Sequence, residues 1–148
     1  MGSAVVIRAT QPADHERLRD LTFESKAHWG YDRDFVRGWA DGLAFDDGQE
    51  RWALEADGEI VAWAGLVPPV GGVAVLDDLW VDPEWMGHGL GSSLFRLAAD
   101  RAAELGAERL ERGAEPNALG FYEKMGGRFV RTYVTEWGRE GSWYGMEL

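Results

Sequence analysis
The sequence predicts an α+β fold built on a mixed sheet, contained in one domain over residues 1–148. Three observations predict it. The chain opens on a short apolar run followed by two stretches of helical periodicity, an Asp-Gly pair then joins two alternating runs, and the second half alternates strand and helix before ending in two strands. No repeat, low-complexity stretch or linker divides it.

Taken in order, residues 4–9 (AVVIRA) form the first strand. Thr10 is placed to cap a helix over residues 12–26, with Pro12 in the first turn, where a missing N–H is harmless. Leu18, Leu21 and Ser25 fall on one face of it. A second helix over residues 32–43 carries Phe35, Val36 and Trp39 on one side, and Gly30-Tyr31 makes the break between the two. Residues 51–56 and 59–67 are strands joined by Asp57-Gly58, a tight hairpin signal because both central positions want positive φ. Pro68-Pro69 ends the second of these strands. Residues 73–82 make a third strand closed by Pro83. A helix over residues 89–105 follows, with Leu90, Leu94, Leu97, Ala98, Arg101 and Leu105 near one stripe, and Gly106 stops it. A strand over 108–113, a short helix over 117–125, and strands over 128–134 and 143–148 complete the chain.

Composition narrows the function. Fifteen Lys+Arg against 26 Asp+Glu give a formal net charge of −11. Such a field repels nucleic acid, whose affinity rests on phosphate neutralisation, and tilts weakly toward a cationic substrate; it also suits a merely soluble surface. No window approaches the roughly 18 apolar residues of a membrane span. No basic-then-apolar leader opens the chain, so a cytoplasmic protein is expected. With no cysteine there is no disulfide, thiol nucleophile or cysteine zinc site. His15, His28 and His88 are too far apart in sequence to share a helical turn, so no dedicated metal site is expected. The eight tryptophans imply core or pocket wall.

Chemistry concentrates in Leu79-Trp80-Val81-Asp82-Pro83-Glu84-Trp85-Met86-Gly87-His88-Gly89-Leu90-Gly91-Ser92: a strand, a turn, then three alternating glycines opening a helix. Backbone N–H groups at a helix N-terminus make an anion site suited to a pyrophosphate. The dinucleotide fingerprint G-x-G-x-x-G is not met, since position 92 is Ser, and no Gly-Lys-Ser/Thr phosphate loop occurs. Alone, the loop also fits a glycine-rich turn with no ligand. A second segment, Glu115-Pro116-Asn117-Ala118-Leu119-Gly120-Phe121-Tyr122-Glu123-Lys124-Met125-Gly126-Gly127, sets a tyrosine five residues after an asparagine on a short helix.

Together the two segments resemble the GNAT superfamily of N-acetyltransferases. There a strand L-x-V leads into R/Q-x-x-G-x-G/A, and a later strand leads into N-x-x-A/G-x-x-F/Y-Y-E-K-x-G-F. The resemblance covers nearly the whole chain. It implies a mixed, mostly antiparallel sheet of six to seven strands flanked by about four helices. Met86 departs from the usual Arg or Gln, and Gly127 stands where Phe often follows the glycine, with Phe129 a candidate to fill that space. Residues 25–31 (SKAHWGY) also look like a stretch found in small bacterial members whose substrates are mostly unassigned.

The resemblance implies acetyl transfer from acetyl-CoA, bound as cosubstrate without a metal, to the primary amine of a small molecule. A peptide or protein amino terminus is a second acceptor class, and a non-catalytic acyl-CoA-binding module is a reading of a different kind. By the same resemblance the backbone at Leu79, Trp80 and Val81 holds the pantetheine arm. Met86, Gly87, His88, Gly89, Leu90, Gly91 and Ser92 surround the pyrophosphate, Asn117 fixes the arm, and Tyr122 is the general acid. Tyr122 also fits a plain buried helix tyrosine, and Asn117 a helix N-cap. The general base is open among Asp77, Asp78, Glu111 and Glu115, with Asp78 favoured. Alternation puts Asp78 on the face of Trp80 and Asp77 on the face of Leu79 and Val81. His28, Trp29, Tyr31 and Trp80 are candidate acceptor-site residues, against simple packing. A homodimer through an exposed last strand and Trp137/Trp143 is also expected.

Overall fold
The computed structural model describes residues 4–114, 116–135 and 137–148. Seven strands form one sheet in the order β1-β2-β3-β4-β5-β7-β6. They are β1 (Val5–Ala9), β2 (Glu50–Ala56), β3 (Glu59–Val70), β4 (Val73–Val81), β5 (Arg109–Ala114), β6 (Arg128–Val134) and β7 (Glu140–Glu147). Four helices accompany them: α1 (His15–Ala27), α2 (Arg33–Asp41), α3 (Leu90–Glu104) and α4 (Leu119–Lys124). Every strand pair is antiparallel except β4 with β5, which α3 connects. This is the mixed, mostly antiparallel α+β sheet that the sequence predicts.

Each face of the sheet is covered by a helix. On one side Leu94, Phe95, Ala98 and Ala102 of α3 pack on Leu54, Ala62, Ala64, Leu66, Ala74 and Leu76. The buried stripe of α3 thus runs through Phe95 and Ala102, while Arg101 turns outward to donate to Glu50 Oε1 at 2.9 Å. On the other side Leu18 and Leu21 of α1 meet Ala53, Ile60 and Trp63. Trp63 is only 1% exposed, and its indole Nε1 donates to Thr22 Oγ1 at 2.9 Å, which in turn donates to the Leu18 carbonyl at 2.7 Å. A buried indole needs that partner, because an unmade hydrogen bond in the interior costs about 1–3 kcal/mol.

Asp57 and Gly58 adopt φ of 53° and 85°, as the tight hairpin requires, and pair Ala56 with Glu59. Elsewhere the structure corrects the sequence reading. Thr10 does not cap α1: its N–H donates to the Arg51 carbonyl and extends the β1–β2 ladder. Asp14 instead accepts from Gln11 N and clasps the Arg8 guanidinium at 2.8 and 3.0 Å, and residues 12–14 form a separate 3-10 turn. Pro68-Pro69 does not end β3, which continues to Val70. The prolines lie where the ladder slips between Val67 and Val70, so their missing N–H breaks no regular pair. Asn117 does not cap α4, whose N-cap is Ala118. Phe129 is 56% exposed and fills no core space beside Gly127. Gly127 itself lies under the Tyr122 carbonyl, which a Cβ there would meet at 2.9 Å.

The last strand is not an edge. β7 lies between β5 and β6 and pairs with both, so the sheet ends on β6. Trp143 turns toward the interior, donating to Glu111 Oε1 at 2.7 Å, and Trp137 packs on Phe35 and Trp39 of α2. The last strand is therefore not the exposed edge that the sequence suggests. Among the described residues no helix is long and apolar enough to cross a membrane.

Candidate acyl-transfer site
β4 and β5 part company soon after they meet. Their ladder runs only from Val73 to Val75 against Arg109 to Glu111, yet β4 continues to Val81 and β5 to Ala114. Because β3 holds β4 and β7 holds β5, the two halves of the sheet diverge. A cleft of about 1180 Å³ opens between them. Beyond Val75 the outer edge of β4 has no strand neighbour among the described residues, so its backbone groups, including those of Leu79, Trp80 and Val81, border the cleft.

The turn after β4 is built by Asp82. Its carboxylate accepts from Glu84 N at 2.9 Å and from Arg17 Nη2 at 3.2 Å, fixing the short 3-10 turn Pro83–Trp85. Gly87 and Gly89 then take φ of 81° and 78°, left-handed conformations that side chains resist. Gly89 is the N-cap of α3, and its carbonyl accepts from Ser93 N to close the first turn of the helix. The amides of Leu90, Gly91 and Ser92 therefore occupy the first turn, where a helix has no internal acceptors for them. Met86, Gly87, Gly89, Leu90, Gly91 and Ser92 all border the cleft, with the Leu90 side chain buried below. His88 is exposed, lies against Trp85 and does not border it.

Across the cleft stands α4. Tyr122 is 5% exposed and borders the cleft, its ring covered by the Arg112 guanidinium at 4.6 Å. Arg112 Nη1 is buried without a hydrogen-bond partner among the described residues, a spare donor in the cleft wall. Asn117 is exposed at the rim. A helix start whose first amides have no internal acceptor and an open strand edge line one cleft, which fits an extended, anionic acyl-CoA.

Asp78 lies in the same cleft. Its Oδ1 accepts from Trp80 Nε1 at 3.0 Å and its Oδ2 from Gln49 Nε2 at 2.9 Å. Burial pushes its pKa up, and these two donors hold it down only in part. Asp77 does not alternate to the far face as a regular strand requires. The β3–β4 register slips between Gly65–Asp78 and Leu66–Leu76, which leaves Asp77 as the extra residue of a bulge. Its Oδ2 accepts from the same Gln49 Nε2 at 3.1 Å. Glu111 does not border the cleft; it is engaged by Trp143 and by Arg109 at 3.3 Å. Glu115 lies outside the described residues.

At the acceptor end, Trp29 and Trp80 border the cleft, whereas His28 is exposed against Trp29 and Tyr31 packs on Trp137 beneath Lys26 Nζ. Trp39 and Trp137, which sequence reasoning assigned to helix packing and to a dimer contact, continue the wall. Ring centroids stand 5.9 Å apart for Trp39 and Trp80 and 5.3 Å for Trp39 and Trp137. Gln49 and Arg112 also escaped sequence reasoning, since neither stands in a local pattern. Among the described residues no group of three or more His, Asp or Glu is placed to hold a metal ion.

The model of the Acetyltransferase (GNAT) family matches residues 13–127, and the chain belongs to that family. It is an acetyl-CoA-dependent N-acetyltransferase. Solved structures share the fold at low identity. The PaiA N-acetyltransferase from Thermoplasma acidophilum, in complex with coenzyme A, is 16% identical with a TM-score of 0.80, the match covering 98% of this chain and 99% of that one. The ribosomal-protein-S18-alanine N-acetyltransferase from Escherichia coli is 20% identical with a TM-score of 0.74, covering 97% and 94%. A GNAT acetyltransferase from Elizabethkingia anophelis with acetyl-CoA bound is 14% identical with a TM-score of 0.71, covering 97% and 98%. No curated protein matches the chain by sequence.

Proposed function
We propose that this cleft passes the acetyl group of acetyl-CoA directly to the primary amine of a small molecule. Asp78 accepts the amine's proton and Tyr122 donates one to the departing thiolate. The observation that carries the reading is that both side chains border one cleft whose far end is the glycine-rich start of α3. The new bond joins the amine nitrogen to the acetyl carbonyl carbon, and the bond broken is carbon to sulfur. An amine that arrives protonated first releases one proton to solvent; as the neutral amine attacks, one proton leaves the nitrogen for Asp78, one reaches sulfur from Tyr122, and solvent restores both groups.

The amides of the α3 N-terminus hold the pyrophosphate, and the free edge of β4 at Leu79 and Val81 holds the pantetheine arm, with Asn117 at the rim. Arg112, over the Tyr122 ring, favours the negative charge that passes between sulfur and phenol. The acceptor is best served by an amine on an apolar or aromatic body. Trp80 is tied to Asp78 by its own indole N–H, and Trp39 and Trp137 extend the wall away from the base.

Thermal unfolding with and without acetyl-CoA, alongside thiol release across a panel of amines, tests the reading. The panel sets phenethylamine and tryptamine against spermidine, free amino acids and a peptide ending in an amino-terminal alanine, the last because the Escherichia coli neighbour acts on a protein alanine. Acetyl-CoA at about 100 times its Kd raises stability by roughly 2.7 kcal/mol, and arylalkylamines release thiol fastest. Fastest release with the peptide would move the acceptor class to protein termini. Absence of a thermal shift would remove the cleft as the acetyl-CoA site.

A further inference from the structure
We propose that Gln49 is a positioning residue: one side-chain amide, shared between Asp77 and Asp78, clamps Asp78 in the cleft for proton acceptance. The proposal rests on reading Asp78 as the base.

Four contacts fix the clamp. Nε2 of Gln49 donates to Asp78 Oδ2 at 2.9 Å and to Asp77 Oδ2 at 3.1 Å. Oε1 accepts from Arg51 Nε at 2.7 Å, which sets the amide's orientation and leaves Nε2 toward the carboxylates. Gly65 of β3 lies directly under the amide. A Cβ there would come within 2.4 Å of Gln49 Cδ, 2.5 Å of Oε1 and 2.6 Å of Nε2, and all three nearest atoms belong to Gln49. Finally, the β4 bulge brings two successive carboxylates within reach of one donor, which regular alternation would forbid.

The electrostatics assign the clamp its effect. Burial is the main factor that disfavours the negative charge of Asp78, and Asp77 beside it adds to this. Opposing them are the Trp80 indole, the Gln49 amide and the charge of Arg112 on β5. Arg51 at the start of β2, Lys26 of α1 and Asp46 before β2 border the same cleft. Of the donors to this pair among the described residues, Gln49 alone reaches both carboxylates. Without it, the negative charge on Asp78 loses one of its two hydrogen-bond donors, and Asp78 holds its proton to higher pH.

The test is carbon-13 carboxyl NMR titration of the acetyl-CoA-free protein, with Asp78 assigned through D78N. The Asp78 midpoint rises by about one pH unit in Q49A, the scale of a lost charge-assisted hydrogen bond. G65A, whose added methyl displaces the amide, raises it likewise. In the Q49A background G65A adds nothing, because the atoms it would strike are gone. A midpoint unmoved in Q49A overturns the clamp. The reading of Asp78 is tested separately by the pH profile of kcat/KM with the fastest amine of the panel. Midpoints that shift while the acid limb of kcat/KM stays in place overturn Asp78 as the base and leave the clamp as structure only.

Discussion

Asp78 and Tyr122 sit in opposite kinds of surroundings. The carboxyl is ringed by donors and partly withdrawn from water, while the phenol lies under a guanidinium in a nearly closed wall. Asp78, as the proposed base, would act only when ionised, and burial raises its pKa, so kcat/KM is expected to fall as the pH is lowered through that pKa. D78N removes this limb together with most of the rate. Tyr122→Phe keeps the ring packed on Arg112 and removes only the phenolic hydroxyl proposed as the acid. Its kcat drops on the order of 10²-fold, the lower end of general acid catalysis, while the thermal shift with acetyl-CoA is retained. An unchanged kcat would dismiss Tyr122 as the acid. Met86 borders the cleft where the family usually has Arg or Gln, and the neighbouring amides of the loop do not need its side chain.

The start of α3 makes its contribution through backbone alone. Gly87 and Gly89 hold left-handed φ with open space where a methyl group would stand, so a side chain at either would meet strain and no clash. Gly89→Ala therefore destabilises the protein by about 1–2 kcal/mol, the local cost of left-handed backbone in a residue with Cβ. Urea unfolding measures that loss. Relaxation of the turn also re-aims the first amides of the helix, so the thermal shift with acetyl-CoA shrinks in the same variant. A full-sized shift in Gly89→Ala would mean that these amides do not hold the pyrophosphate. β4 contributes in a different way. Its bulge gives up one ladder register to place Asp77 beside Asp78, and its early parting from β5 leaves an edge without a strand neighbour along the cleft.

At the scale of the molecule, the net charge of −11 acts on both substrates at once, with opposite sign. It repels the anionic acetyl-CoA and attracts a protonated amine, and salt screens both effects over about 8–10 Å. Raising ionic strength from 10 to roughly 150 mM, a range over which the screening length contracts from about 30 to 8 Å, therefore lowers the KM for acetyl-CoA and raises that for the amine. Parallel movement of the two would show that local charges, such as Arg112 and Asp78, outweigh the field of the whole surface.

The sequence by itself determined most of the elements and the glycine-rich start of α3, because their signals are local. Periodicity placed α1 through α3, Asp57-Gly58 placed the β2–β3 hairpin, and alternating glycines before Leu90 marked a helix start able to hold phosphate. Tertiary structure alone decided what those elements enclose. The bulge that turns Asp77 toward Asp78 comes from the register of β4 against β3, and the prolines of β3 survive because that ladder slips where they stand. β7 became an interior strand only when β6 folded back beside it. Gln49 reaches carboxylates 28 and 29 residues away, across a glycine on a third segment, a convergence that no window of sequence contains. Local backbone preference is written in neighbouring residues, whereas side chains that meet in a cleft are joined by chain pairing at long range, and only the folded sheet brings them together.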